Sequence, residues 1–382
     1  MTSTPEQQQQ QQQQRQQQEK KRKTVSSVVN EDGTAAFGSR LLTDQSDVFT
    51  HNAWDSVEMT PEALADAEEK IAKQREKPVP ADMAEEYNAS PGLFWDRFYE
   101  SHDNRFFKDR HWLRVEFPEL FALCRGEEEK EEEKESEASK DDVVRIFEIG
   151  CGAGNTIFPL LAELRGESAE DAENKGEGVE TVSPPAEADD SGSVPPIVPS
   201  KRQASTPASS RPPTKNVFIY GCDFSSTAVN VVKSSPEYDT SKCNVFQWDL
   251  TSTTLPEHVE PGSIDMIMLI FVLSAIHPDT WSQAIDNLCA LLKPGGVVCF
   301  RDYGRYDLAQ VRFKSGRLLQ DNFYVRGDGT RVYFFTQEEI STLFGSKFQI
   351  EQNAVDRRLL VNRSKKITMQ RVWLQGKFRK PT

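Results

Sequence analysis

Apolar residues in this chain follow two rhythms, and their alternation predicts the fold. Val143, Val144, Ile146, Phe147 and Ile149 form a run dense enough for a strand buried on both faces. It leads into Gly150, Gly152 and Gly154, and then into a helical pattern carrying Ile157, Phe158, Leu160 and Leu161. Val217–Tyr220 is a second strand, ending at Asp223 with Ser225 and Ser226 to cap the next helix; Val245–Trp248 is a third, ending at Asp249 and Leu250. Ser263–Leu273 is an unbroken apolar strand. Trp281, Ile285, Leu288 and Leu292 mark a helix face stopped by Lys293–Gly296, and Val297–Phe300 is the following strand. Thr336 with Glu339 is a capping box for a further helix, and Thr368–Phe378 alternates as an edge strand does. Strands alternating with helices predict an α/β domain with a doubly wound, seven-stranded, mostly parallel sheet whose ligands bind at the carboxyl ends of its strands.

Upstream of this domain the pattern is helical. Thr60-Pro61 opens a helix that should run to about Glu76, stopped by Pro78 and Pro80, and Ser90-Pro91 opens another over PGLFWDRFYE. Trp95 and Tyr99 fall at i and i+4 on one face of it, with Phe94 and Phe98 on the adjacent one. Either pair could line a cleft, or all four could be core. Phe106–Trp112 sets Lys108 and Arg110 among aromatics, a mixture suited to base stacking and phosphate contact.

The remaining tracts cannot bury a core. Residues 1–48 form a glutamine-rich tail containing KKRK at Lys20–Lys23, a short cluster compatible with a nuclear address. Residues 126–142 hold 10 Asp/Glu against 3 Lys and read as an acidic linker. About 166–215 is a Glu-, Ser- and Pro-rich insertion in the domain. The expected organisation is therefore a tail, a helical extension over 49–125, the linker, and the α/β domain over 143–382.

Charge changes the picture by its placement. The chain carries −14 overall, yet from Arg301 onward there are 17 Lys/Arg against 8 Asp/Glu. A basic third on an acidic chain is either a footprint for a polyanion or a merely solvated face. Six scattered cysteines without a C-x-x-C pair fit a reducing compartment and argue against a zinc site. No His/Asp/Glu cluster has metal-ligand spacing, so no metal is expected. No apolar run reaches membrane-spanning length and no signal segment opens the chain, which predicts a soluble, cytoplasmic protein.

The glycine turn has G-x-G-x-G spacing and fails the dinucleotide pattern, because Asn155 replaces the last glycine. By itself it fits an S-adenosylmethionine (SAM) site, a nucleotide site or an empty turn; with Glu148 two residues upstream it resembles motif I of the class I SAM-dependent methyltransferases. Asp223, ending the second strand, can accept both hydrogen bonds of a ribose, or simply cap a helix. Asp249 can accept from an adenine amine while Leu250 packs on the ring.

Several stretches together go further: FWDRFYESHDNRFFKDRHW, FEIGCGAGNTIFPLL, CDFSSTAV, IFVLSAIHPD, LLKPGGVVCFRDYGRYDLAQ, NFYVRGDGTRVYFFTQEE and VDRRLLVNR. They resemble the tRNA N3-methylcytidine methyltransferases, which act on cytidine 32 of the anticodon loop. The resemblance covers essentially everything outside the low-complexity tracts, and NAWDSVEMTPE is more similar to the threonine-tRNA branch than to the serine-tRNA branch. It implies SAM as cofactor and tRNA as substrate, without a membrane. An accessory protein such as an aminoacyl-tRNA synthetase is a further partner it leaves open. It implies that Trp95 and Tyr99 close over SAM, that Gly150, Gly152 and Gly154 line its methionine part, that Asp223 holds the ribose, and that Asp249, Leu250 and Ile270 frame the adenine. Lys108, Arg110, Arg301 and Arg305 are the expected RNA contacts.

The methyl of a sulfonium is already electrophilic and N3 of neutral cytosine has a free lone pair, so in-line transfer needs positioning and desolvation. No cysteine follows a proline, as carbon-5 chemistry would require, and the [DN]-P-P-[YW] motif of exocyclic-amine enzymes is missing. The product gains positive charge, which makes Asp302 the candidate stabilising carboxylate, with His277 second. A small-molecule or protein methyltransferase of this fold would leave the basic C-terminal third without a role. A non-catalytic RNA-binding or scaffold protein would not need Gly150, Gly152, Gly154 and Asp223 intact.

Overall fold

The computed structural model describes residues 37–38, 40–102, 109–110, 112–125, 143–166 and 216–382. The Lys20–Lys23 cluster, Lys108, the acidic linker and residues 167–215 lie outside them. In chain order the strands are β1 (Ala53–Asp55), β2 (Val143–Ile149), β3 (Asn216–Asp223), β4 (Cys243–Gln247), β5 (Ile264–Ile270), β6 (Leu292–Tyr303), β7 (Leu318–Gln320), β8 (Phe323–Val325), β9 (Arg331–Tyr333), β10 (Gln349–Asn362) and β11 (Ile367–Arg379). The helices are α1 (Pro61–Arg75), α2 (Ala81–Ala89), α3 (Pro91–His102), α4 (Leu113–Glu116), α5 (Pro118–Arg125), α6 (Ile157–Leu164), α7 (Ser226–Lys233), α8 (Trp281–Leu291), α9 (Leu308–Val311) and α10 (Gln337–Gly345).

The main sheet runs β1-β10-β11-β6-β5-β2-β3-β4, with β6, β5, β2, β3 and β4 parallel and the β10–β11 hairpin antiparallel beside β6. The six strands located in the sequence are all present; β10, which was not located, makes the seventh of the expected sheet, and β1 adds an eighth by pairing with Leu359 and its neighbours. Alternation along the strands sends side chains to two cores. Phe147, Ile267, Leu269 and Phe300 face the α8 and α10 side, whereas Ile146, Met266, Met268 and Cys299 face α6 and α7.

Two expectations are corrected, and two elements are added. The 368–378 segment is not an edge strand, because β11 lies between β10 and β6 and is paired along both edges. Packed chain begins before residue 48, with Phe37 and Leu42 buried and Arg40 N–H donating to Asp55 Oδ2 at 3.0 Å. Helix α2 was not anticipated: it buries no residue and has no side-chain cap, so it carries neither apolar periodicity nor a start signal. The β7-β8-β9 sheet was likewise missed, since three-residue strands are too short to show a period. This small sheet is bound to α1 by Gln74, which accepts from Tyr324 Oη at 2.8 Å and donates to the carbonyls of Gln310 and Phe313.

Candidate cofactor and acceptor site

The site lies at the carboxyl ends of β2, β3 and β5. Gly150, Gly152 and Gly154 all adopt left-handed backbone, with φ of 68°, 53° and 86°. Side chains are excluded there by space as well as conformation: a Cβ on Gly150 would sit 2.4 Å from Val272 Cγ2, and one on Gly152 2.6 Å from Tyr99 Oη. Asp223 is joined directly to this turn, accepting the Gly152 N–H at 2.9 Å on Oδ2 and the Ser225 N–H at 2.9 Å on Oδ1. A carboxylate has about four acceptor positions, so two remain for a ligand's hydroxyls. Asp249 closes the far side; its Oδ1 accepts from the Thr251 amide and hydroxyl at 2.8 Å each. Leu250 is buried beside it, and Ile270 is buried in the core below the turn.

Helix α3 lies across the glycine turn. Tyr99 is buried with Phe98, Ala153 and Ala228, and Trp95 stacks on Tyr99 with ring centroids 6.1 Å apart. The expected division into two faces is corrected in one respect: Phe98 joins Trp95 and Tyr99, and only Phe94 turns away, towards Tyr87. Asp96, which the sequence did not single out, holds the helix down by accepting the Ser225 hydroxyl at 2.6 Å and the Thr227 N–H at 3.1 Å. Burial pushes its carboxyl up, but these donors outweigh burial and hold it below the usual range. Its only signal in the sequence was the presence of a poor helix former in mid-helix.

Of the four expected RNA contacts, the structure buries Arg301 and engages Arg110 and Arg305 in ion pairs within the protein. Arg110 points under the glycine turn, its Nη1 2.9 Å from Glu148 Oε1 and 2.9 Å from Thr156 Oγ1, and its own N–H donates to the Asn155 carbonyl. Arg301 is 1% exposed, ion-paired with Asp356 and flanked by Trp112 and Trp373. Arg305 braces the capping box of α10, both Glu339 oxygens lying about 3 Å from its Nη2. The C-terminal cation excess is partly met by acids, several from outside that third: Glu58 for Arg357, Glu116 for Arg358 and Glu119 for Lys377. A cation buried against a carboxylate contributes little field to a polyanion.

The two candidate catalytic groups differ. Asp302 is buried at the end of β6, accepting the Tyr303 N–H on Oδ1 and the Ser274 N–H on Oδ2, and burial pushes its carboxyl up to about 6. His277 caps a short turn, its Nδ1 accepting the Asp279 N–H at 3.3 Å. Burial lowers its pKa, with Arg331 adding to that and Asp279 opposing it.

These residues fit SAM. Burial raises Glu148 to about 7 despite Arg110, and raises Asp223 to about 6. Glu148 Oε2 has no hydrogen-bond partner among the described residues. Buried carboxyls around a side-chain-free cradle suit a ligand carrying a sulfonium and an ammonium. Gly150, Gly152 and Gly154 would border its methionine part, Asp223 its ribose and Asp249 its adenine.

A methyltransferase-domain profile matches residues 110–347. The chain is 44% identical over 366 residues to the tRNA N(3)-cytidine methyltransferase METTL2 of Danio rerio, covering 90% of this chain and 89% of that one. It is 43% identical to the tRNA N(3)-methylcytidine methyltransferase trm140 of Schizosaccharomyces pombe, covering 90% and 92%. The tRNA(Thr) (cytosine(32)-N(3))-methyltransferase of Saccharomyces cerevisiae is 42% identical, over 94% of this chain and 48% of that one.

Proposed function

Because the chain belongs to the tRNA N(3)-cytidine methyltransferases, we propose that it methylates N3 of cytidine 32 in the anticodon loop of threonine tRNAs. The enzyme class follows from membership of the family, and S-adenosylmethionine is the methyl donor. The observation that carries the fuller reading is the 42% identity, across 94% of this chain, to a relative named for tRNA(Thr) and cytosine 32. The NAWDSVEMTPE segment supports the same branch.

When bound, SAM supplies a methyl group on a positively charged sulfur. The glycine turn leaves room for it, Glu148 and Asp223 offset its charge, and α3 with Trp95 and Tyr99 covers it and excludes water. Asp302, held by two backbone amides at the end of β6, places negative charge where the methylated base becomes cationic. Lys108 supplies positive charge to the RNA backbone. The α1–α3 extension serves as cofactor lid and RNA support. The cytoplasm is the proposed compartment; among the described residues no helix is long and apolar enough to cross a membrane.

Methyl transfer from labelled SAM to purified threonine and serine tRNAs, followed by nucleoside analysis, tests this reading. N3-methylcytidine at position 32 of the threonine tRNA is the expected result. Product on the serine tRNA alone overturns the branch. Product that appears only on adding cell extract assigns a required partner, for which a synthetase is the first candidate.

A further inference from the structure

Phe271 follows β5 with φ of 60°, in the left-handed region. For a bulky residue this is a genuine outlier, which glycine or asparagine would adopt at lower cost. The conformation is held from both sides. Phe271 N–H donates to the Arg301 carbonyl at 2.8 Å, and Asp302 grips the next turn through Ser274. One side of the ring packs on the core beneath α6 and α7, and the strained backbone fixes where the remainder is presented.

The ring is half-buried, unlike the fully buried Leu269 and Ile270 before it. It meets half-buried Tyr303, the last residue of β6, at 5.0 Å between centroids and 46° between planes, so neither ring fully covers the other. This pair stands beside the cofactor turn, because Val272, the next residue, is the one a side chain on Gly150 would strike. The guanidinium carbon of Arg326 lies 5.6 Å from the Tyr303 ring centre, and Arg326 makes no ion pair with a carboxylate among the described residues. The same arginine stands within electrostatic reach of Asp302 and donates to Thr330 Oγ1. Two tilted aromatic faces and this cation, next to the methyl-donor turn, match one extruded pyrimidine nucleotide: base on the rings, phosphate on the arginine.

Resting on the tRNA reading above, we infer that Phe271 and Tyr303 form the stacking wall for the target cytosine, and that Arg326 takes a phosphate beside it.

The test uses the full chain and a threonine-tRNA anticodon stem-loop carrying a fluorescent cytosine analogue at position 32. Wild type with S-adenosylhomocysteine should change the analogue's fluorescence on binding. Phe271→Gly is the informative variant, because it relieves the strained backbone while removing the ring. It should keep its melting temperature within a few degrees and its S-adenosylhomocysteine Kd within about twofold. It should also lose the fluorescence change, and kcat/KM for tRNA should fall about ten- to a hundredfold. Phe271→Tyr should restore both, and Arg326→Gln should raise the KM for tRNA with a small effect on kcat. Unchanged turnover in Phe271→Gly overturns the inference, as does loss of cofactor binding in parallel with turnover. A wild type that produces the fluorescence change yet methylates no tRNA sinks the functional reading and leaves the wall standing. A wild type with neither signal sinks both.

Discussion

Asp96 accepts the Ser225 hydroxyl proton at 2.6 Å, and Ser225 is also the N-cap of α7, its Oγ accepting the Ala228 N–H at 3.1 Å. Through its backbone N–H, Ser225 is bound as well to Asp223, the acid that meets the glycine turn. One serine therefore links helix α3, the cap of α7 and Asp223.

Asp96→Ala should loosen α3 without unfolding the domain. A hydrogen bond to a charged group contributes about 1.5–3 kcal/mol, so S-adenosylhomocysteine should bind about tenfold more weakly, mostly through faster release. Stopped-flow dissociation measures this; an unchanged off-rate would show that α3 does not cover the cofactor.

Arg110→Ala should remove the cation that faces buried Glu148. Breaking one side of a buried pair costs about 3–5 kcal/mol, so the melting temperature should drop by roughly 10 °C. Cofactor affinity should fall with it. If Arg110 instead acts only on RNA, tRNA binding alone would weaken and the melting curve would stay in place.

Cofactor affinity should decline as pH falls through about 7 and then about 6, the values to which burial raises Glu148 and Asp223. Both groups hold their protons more tightly folded than unfolded. On their account, stability without cofactor decreases as pH rises from about 4 towards 7, where the native state still carries protons the unfolded chain has lost. A cationic ligand reverses this by favouring the ionised forms. The cofactor-induced rise in melting temperature should accordingly be larger at pH 8 than at pH 5.5, and calorimetric titration across that range would expose a flat response.

Arg301→Ala should behave as a core defect. It removes one of the two arginines that meet Asp356 Oδ2, Arg358 remaining at 3.0 Å, and empties a large buried site beside Gln375, so the expected cost is about 3–5 kcal/mol. Arg301→Lys should recover little, since lysine cannot reach Gln375 and Asp356 together as the planar fork does. A stable Arg301→Ala protein with weakened tRNA binding would return this residue to the RNA surface.

What the sequence determined by itself was local or strictly periodic. Parallel strands buried on both faces stand out because nearly every residue is apolar; the glycine turn and the Thr336–Glu339 capping box are spelled out within a few positions. The capping box forms as its spacing requires. Aspartates at the ends of β3 and β4 were legible for the same reason.

Only the tertiary structure decided which charges face solvent. Arg301 meets Asp356, Arg358 meets Glu116 and Arg110 meets Glu148, and none of these pairings leaves a mark in the spacing of either partner. The left-handed backbone of Phe271 is equally silent, because phenylalanine is a residue that local preference would keep out of that conformation. Hydrophobic period is set by neighbours along the chain, whereas ion pairing and strain are set by neighbours across it. The fold could therefore be read in advance, while the partners of Arg110, Arg301 and Arg305 could not.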